Sequence, residues 1–264
     1  MSYDTVIPFF ETFGRLLVDA AAPQSGERVL DLACGRGAST LPAAAAVGPA
    51  GRVVGVDLAP EMVLATAAAL SAPGMRHGET RLMDAERLDF PRACFDVVLC
   101  GFGVFFFPHP AAAVAEIRRV LDPQTGRFAA STFVRGVGGY RWAADVVRGL
   151  GRQRPSFPGP IKTAVELVEL LSEAGLPANV STAQARFVFP GVDDYLGWLW
   201  SHDGRRVLEQ LSAEERVRHR DASATHLAEH VVPGGYELVQ AIDLTVARPH
   251  QAGGAQAARG LDVT

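Results

Sequence analysis

Lysine is almost absent from this chain of 264 residues, because Lys162 is its only one. A Walker A phosphate-binding loop needs a lysine that follows a glycine-rich loop, and Lys162 follows Ile161 with no such loop before it. The sequence therefore excludes ATP hydrolysis by that route. Schiff-base chemistry would also have to rest on this single side chain.

Cysteine and long apolar runs are also scarce, and the chain has no excess of cationic charge. The three cysteines, at 34, 94 and 100, form an odd and unpatterned set that is typical of reduced thiols in a cytoplasm. The longest apolar stretch, 97–107, is too short to cross a bilayer, and no basic secretory segment opens the chain. The net charge of -4 gives no electrostatic case for nucleic acid. We therefore expect a cytoplasmic protein that binds neither membrane nor nucleic acid.

Short apolar runs alternate with helical segments in the first half of the chain. A hydrophobic fraction of 48% with 20% charged residues is typical of a folded globular protein. The alternation of strand and helix predicts an α/β fold, a doubly wound parallel sheet with helices on both faces. The predicted strands begin at residue 28 and then occupy 52–57, 80–83, 95–100, 127–134, 183–189 and 237–247. The predicted helices cover 38–47, 61–71, 111–121 and 163–174, with further helices within 192–231.

Shifts in composition divide the chain into five segments. An amphipathic N-terminal segment rich in phenylalanine predicts a helix, and a stretch rich in glycine, arginine and proline predicts a loop or insertion after the core. The predicted organisation is a helical lid over 1–22, a core over 23–134, a cap loop over 135–160, a C-terminal part over 161–248 that contains a helical cap insertion at about 190–232, and a disordered tail over 249–264.

A turn of small residues joins the first predicted strand to the helix that follows it. Gly35 and Gly37 let the backbone bend sharply and let a ligand lie against it. Asp31 belongs to the strand before this turn, and the next strand ends in Asp57, where nucleotide-binding sheets place the residue that holds ribose hydroxyls. Because the carboxyl ends of parallel strands meet at one edge, we expect both acids to lie there.

The charge of this edge distinguishes two kinds of nucleotide ligand. A dinucleotide presents its pyrophosphate to the helix N-terminus, where Asp31 would oppose it. A ligand with a ribose, a cationic amino-acid arm and no phosphate is favoured by an acid there, and S-adenosylmethionine is such a ligand. The glycine spacing agrees, because Thr40 stands where a dinucleotide motif has its third glycine.

On the residues from 28 to 40 and on Asp57, the sequence resembles the class I S-adenosylmethionine-dependent methyltransferases, and within them the small-molecule branch that includes the quinone-biosynthesis C-methyltransferases. The resemblance covers roughly 25–135 by motif and the final strand by layout. It implies a Rossmann-like, doubly wound sheet of seven strands, mostly parallel with the last strand antiparallel, and a helical cap. It also implies S-adenosylmethionine as cofactor and S-adenosylhomocysteine as its product. One departure is Ala33, which stands where the family has its first glycine.

The same resemblance implies which residues bind the cofactor. They are Asp31, Ala33, Gly35 and Gly37 at the methionine end, Asp57 at the ribose hydroxyls with Leu58 beside it, Met62 on the adenosine, Asp84 and Ala85 at the adenine edge, and Cys100, Gly101 and Phe102 at the sulfonium. Taken singly, the acids have structural alternatives. Asp31 could cap a helix, Asp57 could stabilise a turn, and Asp84 could begin a helix.

The catalytic residues are harder to predict, because methyl transfer needs approach geometry and exclusion of water, with a base only where the acceptor requires one. The candidate bases are His109, just past the fourth predicted strand, His202 and Tyr140. Aromatic residues between 105 and 200 predict an apolar acceptor pocket, with core packing as the alternative. His226, Glu229 and His230 match an inverted zinc-protease pattern, but no further ligand is signalled and we expect no metal.

These observations predict a methyltransferase that acts on a small, largely apolar or aromatic metabolite, in quinone or specialised natural-product biosynthesis. The expected partner is this small-molecule acceptor, and the expected assembly is a homodimer. Two alternatives stay open. One is a cyclase or accessory protein that binds S-adenosylmethionine without transferring its methyl group, and the other is an NAD-dependent oxidoreductase.

Overall fold

Eight strands form one sheet in the part of the chain that the computed structural model describes, which is residues 6–134, 140, 142–153, 159–201 and 205–250. The strands are β1 Arg28–Leu32, β2 Arg52–Asp57, β3 Gly78–Leu82, β4 Val97–Gly101, β5 Arg127–Phe133, β6 Ala178–Phe189, β7 Val231–Val232 and β8 Gly235–Ala247. Their spatial order is β3-β2-β1-β4-β5-β8-β6, and the short β7 pairs with β8. Most of the predicted tail, 251–264, lies outside the described residues.

The direction of the strands confirms the predicted sheet. β1 to β5 are parallel to one another, and β8 is antiparallel to both β5 and β6. β1, β2 and β4 are almost continuously apolar, and their residues from 29–32, 53–56 and 97–100 are buried. A parallel strand covered by helices on both faces has this pattern, whereas the edge strand β6 is exposed over 179–182 and alternates between exposed and more buried residues from Ala183 to Phe189.

Helices cover the two faces of the sheet and form a cap beyond β6. The helices are α1 Phe9–Ala21, α2 Thr40–Val47, α3 Pro60–Leu70, α4 Pro110–Val120, α5 Ala143–Gly149, α6 Ala164–Glu173, α7 Val192–Ser201, α8 Arg205–Leu208 and α9 Ala213–Leu227. α6 begins where the sequence predicts it, because Thr163 and Glu166 form a reciprocal capping box at its first turn. None of the described helices is long and apolar enough to cross a membrane.

Several local predictions differ from the structure. The segment 135–160, expected to be a cap loop or insertion, contains the helix α5, which packs against α9 and is decided by that contact rather than by a local sequence pattern. β3 spans Gly78–Leu82 rather than 80–83. β6 begins at Ala178 rather than 183, since pairing along β8 extends the strand through polar residues. β4 begins at Val97 rather than 95. The sheet also gains the two-residue β7, which is too short to leave a sequence pattern.

The N-terminal helix α1 packs on the sheet against β4 and β5, and a buried arginine fixes its C-terminal end. Arg127 on β5 donates hydrogen bonds to the carbonyl oxygens of Ala21 and Ala22, where the helix leaves backbone acceptors without partners. The same guanidinium forms a bidentate pair with Glu27, at 2.9 Å from Nη1 to Oε1 and 2.6 Å from Nη2 to Oε2. Sequence patterns do not reveal this interaction, because the partners are about a hundred positions apart.

We predict that Arg127→Met destabilises the protein by about 3 kcal/mol, because the substitution leaves Glu27 and two helix carbonyls without their partner in a buried setting. The measurement is urea unfolding monitored by circular dichroism. Arg52→Met is the matched control, since Arg52 pairs with Glu79 on an exposed part of the same sheet and should cost less than about 1 kcal/mol. Equal losses in the two variants would contradict the role of Arg127.

Candidate functional site

The predicted cofactor residues meet at one edge of the sheet. β1, β2, β3 and β4 are parallel and end at Leu32, Asp57, Leu82 and Gly101, so the segments that follow them share the carboxyl edge. Ligands of open α/β sheets bind outside this edge, at the point where the strand order reverses. That reversal lies between β1 and β4, the strands that precede the glycine turn and the Phe102 loop.

The Asp57 carboxylate joins the turn after β1 to the turn after β2. Its Oδ2 accepts the backbone N–H of Gly35 at 2.8 Å, and its Oδ1 accepts the backbone N–H of Ala59 at 2.9 Å. Each carboxylate oxygen keeps a further lone pair, so Asp57 can still accept two hydroxyl groups from a ligand. This half-buried position fits the role that the resemblance implies for Asp57.

The backbone of the turn explains its small residues. Gly35 and Gly37 have φ values of +55° and +88°, which favour glycine, and a Cβ on Gly37 would lie 3.1 Å from Cγ2 of Thr66. Ala33 has φ of +52°, so the position where the family has a glycine adopts a conformation that glycine takes without strain. Thr66 also donates to the carbonyl of Gly35 at 2.8 Å and so fixes the turn on α3.

Asp31 lies beneath this turn rather than at its surface. It is 1% exposed, and its Oδ2 accepts the hydroxyl of Thr40 at 2.6 Å. Burial raises the pKa of Asp31 to about 7, and the nearby negative charge of Asp57 contributes in the same direction. A cationic ligand close to the turn would lower this pKa and so favour the ionised carboxylate. Asp31 can therefore attract the ligand electrostatically without direct contact.

The exit of β4 closes the other side of the edge. Phe102 has φ of +53°, an uncommon conformation for a bulky residue, and its backbone N–H donates to Oγ of Ser131 at 3.1 Å. Strained backbone of this kind concentrates at functional sites. The three residues expected at the sulfonium are consecutive, from Cys100 to Phe102. The Cys100 side chain is buried, and Gly101 is partly exposed.

The four residues expected around the nucleoside differ in exposure. Leu58 is 67% exposed at the open edge, whereas Ala85 is buried and Met62 is partly buried on the first turn of α3. Asp84 accepts the backbone N–H of Glu86 at 2.9 Å, so it stabilises the turn after β3, the kind of local role that the sequence left open. Its carboxylate has acceptor capacity beyond this bond, and its adenine contact stays a prediction.

His109 lies next to the segment that carries Asp84 and Ala85, because its backbone N–H donates to Oε1 of Glu86 at 2.6 Å. It is exposed at the start of α4 and borders an open groove of about 480 Å³ whose walls include Pro160, Ile161 and α6. The residues that line this groove do not include any of those expected to bind the cofactor. His109 therefore stays a candidate base without a contact that supports it, and His202 lies outside the described residues.

Tyr140 is the centre of an aromatic group that we call the Tyr140 cluster, made of Tyr140, Trp142, Tyr195, His226 and His230. The ring of Tyr140 lies 5.2 Å from Trp142, 5.3 Å from Tyr195 and 5.3 Å from His230. Burial and the negative charge of Glu237 raise the pKa of Tyr140 above its usual range, so its hydroxyl stays protonated at neutral pH and is a better donor than base.

Sequence reasoning missed the place of the two histidines in this cluster. α9 ends at Leu227, so His226 and His230 do not share one helical face as the zinc-protease pattern requires. His226 instead stacks on Trp142, with centroids 4.9 Å apart and an interplanar angle of 12°. Within the described ranges, no group of three or more metal-ligating side chains is placed to hold a metal ion.

Comparison with known proteins places the chain among methyltransferases. A family model described as a methyltransferase domain matches residues 29–124. The nocamycin O-methyltransferase of Saccharothrix syringae is 31% identical over 96% of this chain and 96% of its own length. The aklanonic acid methyltransferase of a Streptomyces strain is 42% identical over 46% of this chain, and the match spans 56% of that protein.

Two further comparisons agree with the expected branch and fold. A ubiquinone/menaquinone biosynthesis C-methyltransferase of Burkholderia vietnamiensis is 41% identical over 37% of this chain and 40% of its own length. A solved structure of a putative methyltransferase from Bacillus halodurans superposes with a TM-score of 0.60 at 21% identity, covering 90% of this chain and 100% of that one. At this identity the superposition supports the fold alone.

The buried Asp31 generates a prediction about stability and pH. Its pKa is about 7 in the folded protein, against an ordinary value of 3.8 for an aspartate in water. Its contribution to folding is therefore present in full below about pH 4 and is lost as the pH rises towards 7. Relative to Asp31→Asn, the wild-type protein should lose free energy of unfolding across this window, by up to about 1.4 kcal/mol per pH unit.

Urea unfolding of both proteins at half-unit steps from pH 4 to 8 measures this difference. Asp19→Asn is the control, because Asp19 is exposed on α1 and should leave the shape of the curve unchanged. Parallel curves for wild type and Asp31→Asn would show that the buried carboxyl is not protonated in the folded state.

Proposed function

The chain belongs to the S-adenosylmethionine-dependent methyltransferases, and we propose that it transfers the methyl group of S-adenosylmethionine to a small natural-product-like acceptor with a largely apolar or aromatic body. The observation that carries this proposal is the edge where the glycine turn meets Asp57, with the buried Asp31 below. That edge offers acceptor oxygens to ribose hydroxyls and negative charge to a cationic arm.

The residues at this edge fit such a cofactor in chemistry and in space. Asp57 would hold the two ribose hydroxyls, in addition to the backbone donors that it already binds. The glycine turn gives the methionine arm access to backbone, because Gly35 carries no side chain and a Cβ built there would meet nothing closer than the carbonyl oxygen of Ala33 at 4.0 Å. Asp31 supports a positive charge near the turn, and the exposed Leu58 would cover an apolar face of the nucleoside.

The cofactor, when bound, supplies an activated methyl group that an acceptor atom attacks in line with the departing sulfur. The protein contributes position and exclusion of water rather than a covalent step. Phe102 serves this purpose at the predicted sulfonium position, since it stacks on Phe133 at 4.6 Å and meets Phe13 of α1 edge-on at 5.9 Å. His109 and His202 stay candidates for the base that an acidic acceptor would need, whereas Tyr140, whose raised pKa keeps its hydroxyl protonated, is better suited to donate a hydrogen bond.

The relatives guide the proposal for the acceptor. Two of them are named for nocamycin and aklanonic acid, and a third for quinone biosynthesis. Aromatic rings from Phe9, Phe102, Phe133 and the Tyr140 cluster supply apolar contacts that suit a flat acceptor. We propose an aromatic or quinone-like acceptor of specialised metabolism, and a cytoplasmic location that suits three free thiols.

The cofactor assignment predicts that Asp57→Ala weakens binding of S-adenosylhomocysteine at least tenfold, because each hydrogen bond to a charged group contributes about 1.5–3 kcal/mol. Calorimetric titration measures the dissociation constant, which we expect to be micromolar in the wild type. Asp89→Ala is the control, since Asp89 is exposed on the loop after β3.

Because Asp57 also holds two backbone N–H groups, the variant could disturb the turn itself. Asp57→Asn keeps the shape of the side chain, so it should retain the wild-type far-ultraviolet spectrum while still binding weakly. An unchanged affinity in both variants would remove Asp57 from the cofactor site.

The reaction class predicts the mass of the product. When the enzyme is incubated with S-adenosylmethionine and a panel of phenols, quinones and aromatic polyketides, mass spectrometry should show a gain of one methyl group on the acceptor and release of S-adenosylhomocysteine. A rearranged product of unchanged mass, with the cofactor intact, would instead support a cyclase.

A further inference from the structure

The Tyr140 cluster contains two buried polar atoms that lack a hydrogen-bond partner within the described residues. They are the hydroxyl of Tyr140 and the indole Nε1 of Trp142, on stacked rings whose centroids are 5.2 Å apart. The Tyr140 side chain is only 9% exposed, so water does not readily satisfy its hydroxyl. Buried polar atoms are nearly always hydrogen-bonded in native proteins, and exceptions point to a missing ligand or water.

Both atoms are hydrogen-bond donors under physiological conditions. An indole N–H can only donate, and the raised pKa of Tyr140 keeps its hydroxyl protonated. The group that would satisfy both is an acceptor oxygen. Neither donor carries a charge, so a neutral carbonyl oxygen is a sufficient partner, and Glu237, which pairs with Arg186 at 2.8 Å, supplies no cation that would favour a carboxylate instead.

One side of the Tyr140 cluster borders solvent, and the other side packs against a row of aromatic rings that ends at Phe102. His226 is partly exposed and His230 is exposed on the solvent side. On the other side, Tyr195 lies 6.2 Å from Trp198, Trp198 lies 5.5 Å from Phe9, and Phe9 lies 6.4 Å from Phe102. Because these rings pack against one another, an acceptor that extends from Tyr140 towards Phe102 would lie along the row of rings, which favours a body of more than one ring.

We propose that Tyr140 and Trp142 form a recognition site for a neutral carbonyl oxygen, of the ketone or quinone type, on a flat acceptor of more than one ring. The inference rests on the proposed methyltransferase function and specifies its substrate class. Tyr140 then selects and orients the acceptor through its hydroxyl, while Trp142 adds a second donor and a stacking surface that His226 supports from its other face.

Two tricyclic probes test this site, because 9-fluorenone carries a neutral carbonyl oxygen that fluorene lacks. Quenching of tryptophan fluorescence, confirmed by calorimetry, measures the affinity of each. The wild type should bind fluorenone about threefold to tenfold more tightly than fluorene, as one or two neutral hydrogen bonds imply. Tyr140→Phe should abolish this preference by weakening fluorenone binding alone, and it should raise the melting temperature slightly, because the hydroxyl no longer lacks a partner.

Tyr236→Phe is the matched control, since Tyr236 lies on β8 outside the cluster and should leave the preference unchanged. Trp142→Phe provides a second variant that should reduce the preference even if Tyr140→Phe folds poorly. The proposal is overturned if the wild type binds neither probe, does not distinguish them, or keeps its preference in both cluster variants.

Titration with S-adenosylhomocysteine in parallel separates the two levels of the argument. Intact cofactor binding with no carbonyl preference would overturn the recognition site alone. Absent cofactor binding in the wild type would overturn the proposed function, whereas the probe result would still decide whether the cluster binds a carbonyl oxygen.

Discussion

The structure depends first on the hydrogen bonds that Asp57 makes to two turns at once. Gly35 follows β1 and Ala59 follows β2, so one carboxylate fixes the spacing between the two strand ends that a nucleoside must contact. A carboxylate is suited to this task because it accepts several bonds at the same time. The turn after β1 is thereby held in the left-handed conformations of Ala33, Gly35 and Gly37, with its backbone open to a ligand.

Charge gives this geometry its preference among nucleotides. Asp31 is buried with Thr40 as its hydrogen-bond partner, and with a pKa of about 7 its carboxyl is only about half ionised at pH 7, because burial opposes ionisation. A cationic ligand arm over the turn would favour the ionised form of Asp31, and the resulting carboxylate would stabilise the bound ligand. A pyrophosphate would receive no such stabilisation from Asp31. A pocket that distinguishes ligands by sign of charge thus follows from two acids at the ends of two neighbouring strands.

The sequence predicted the fold well, and it predicted that the glycine turn and Asp57 lie together at one edge of the sheet, because both features leave local signals. Continuous apolar runs mark β1, β2 and β4, and small residues mark the turn at 33–37. The Tyr140 cluster was beyond such reasoning, because tertiary packing brings Trp142 and His226 together from distant parts of the chain. The helix α5 and the ion pair of Arg127 with Glu27 were missed for the same reason, since each is decided by what packs against it.

The central claim is that this edge binds a phosphate-free, cationic adenosine derivative above a carboxyl that is mostly protonated near pH 6.5. Calorimetric titration with S-adenosylmethionine at about pH 6.5, repeated in phosphate and in imidazole, tests it most directly. The account predicts saturable binding whose heat differs between the two buffers by the amount that proton release from Asp31 requires. No binding, or binding with the same heat in both buffers, would contradict it.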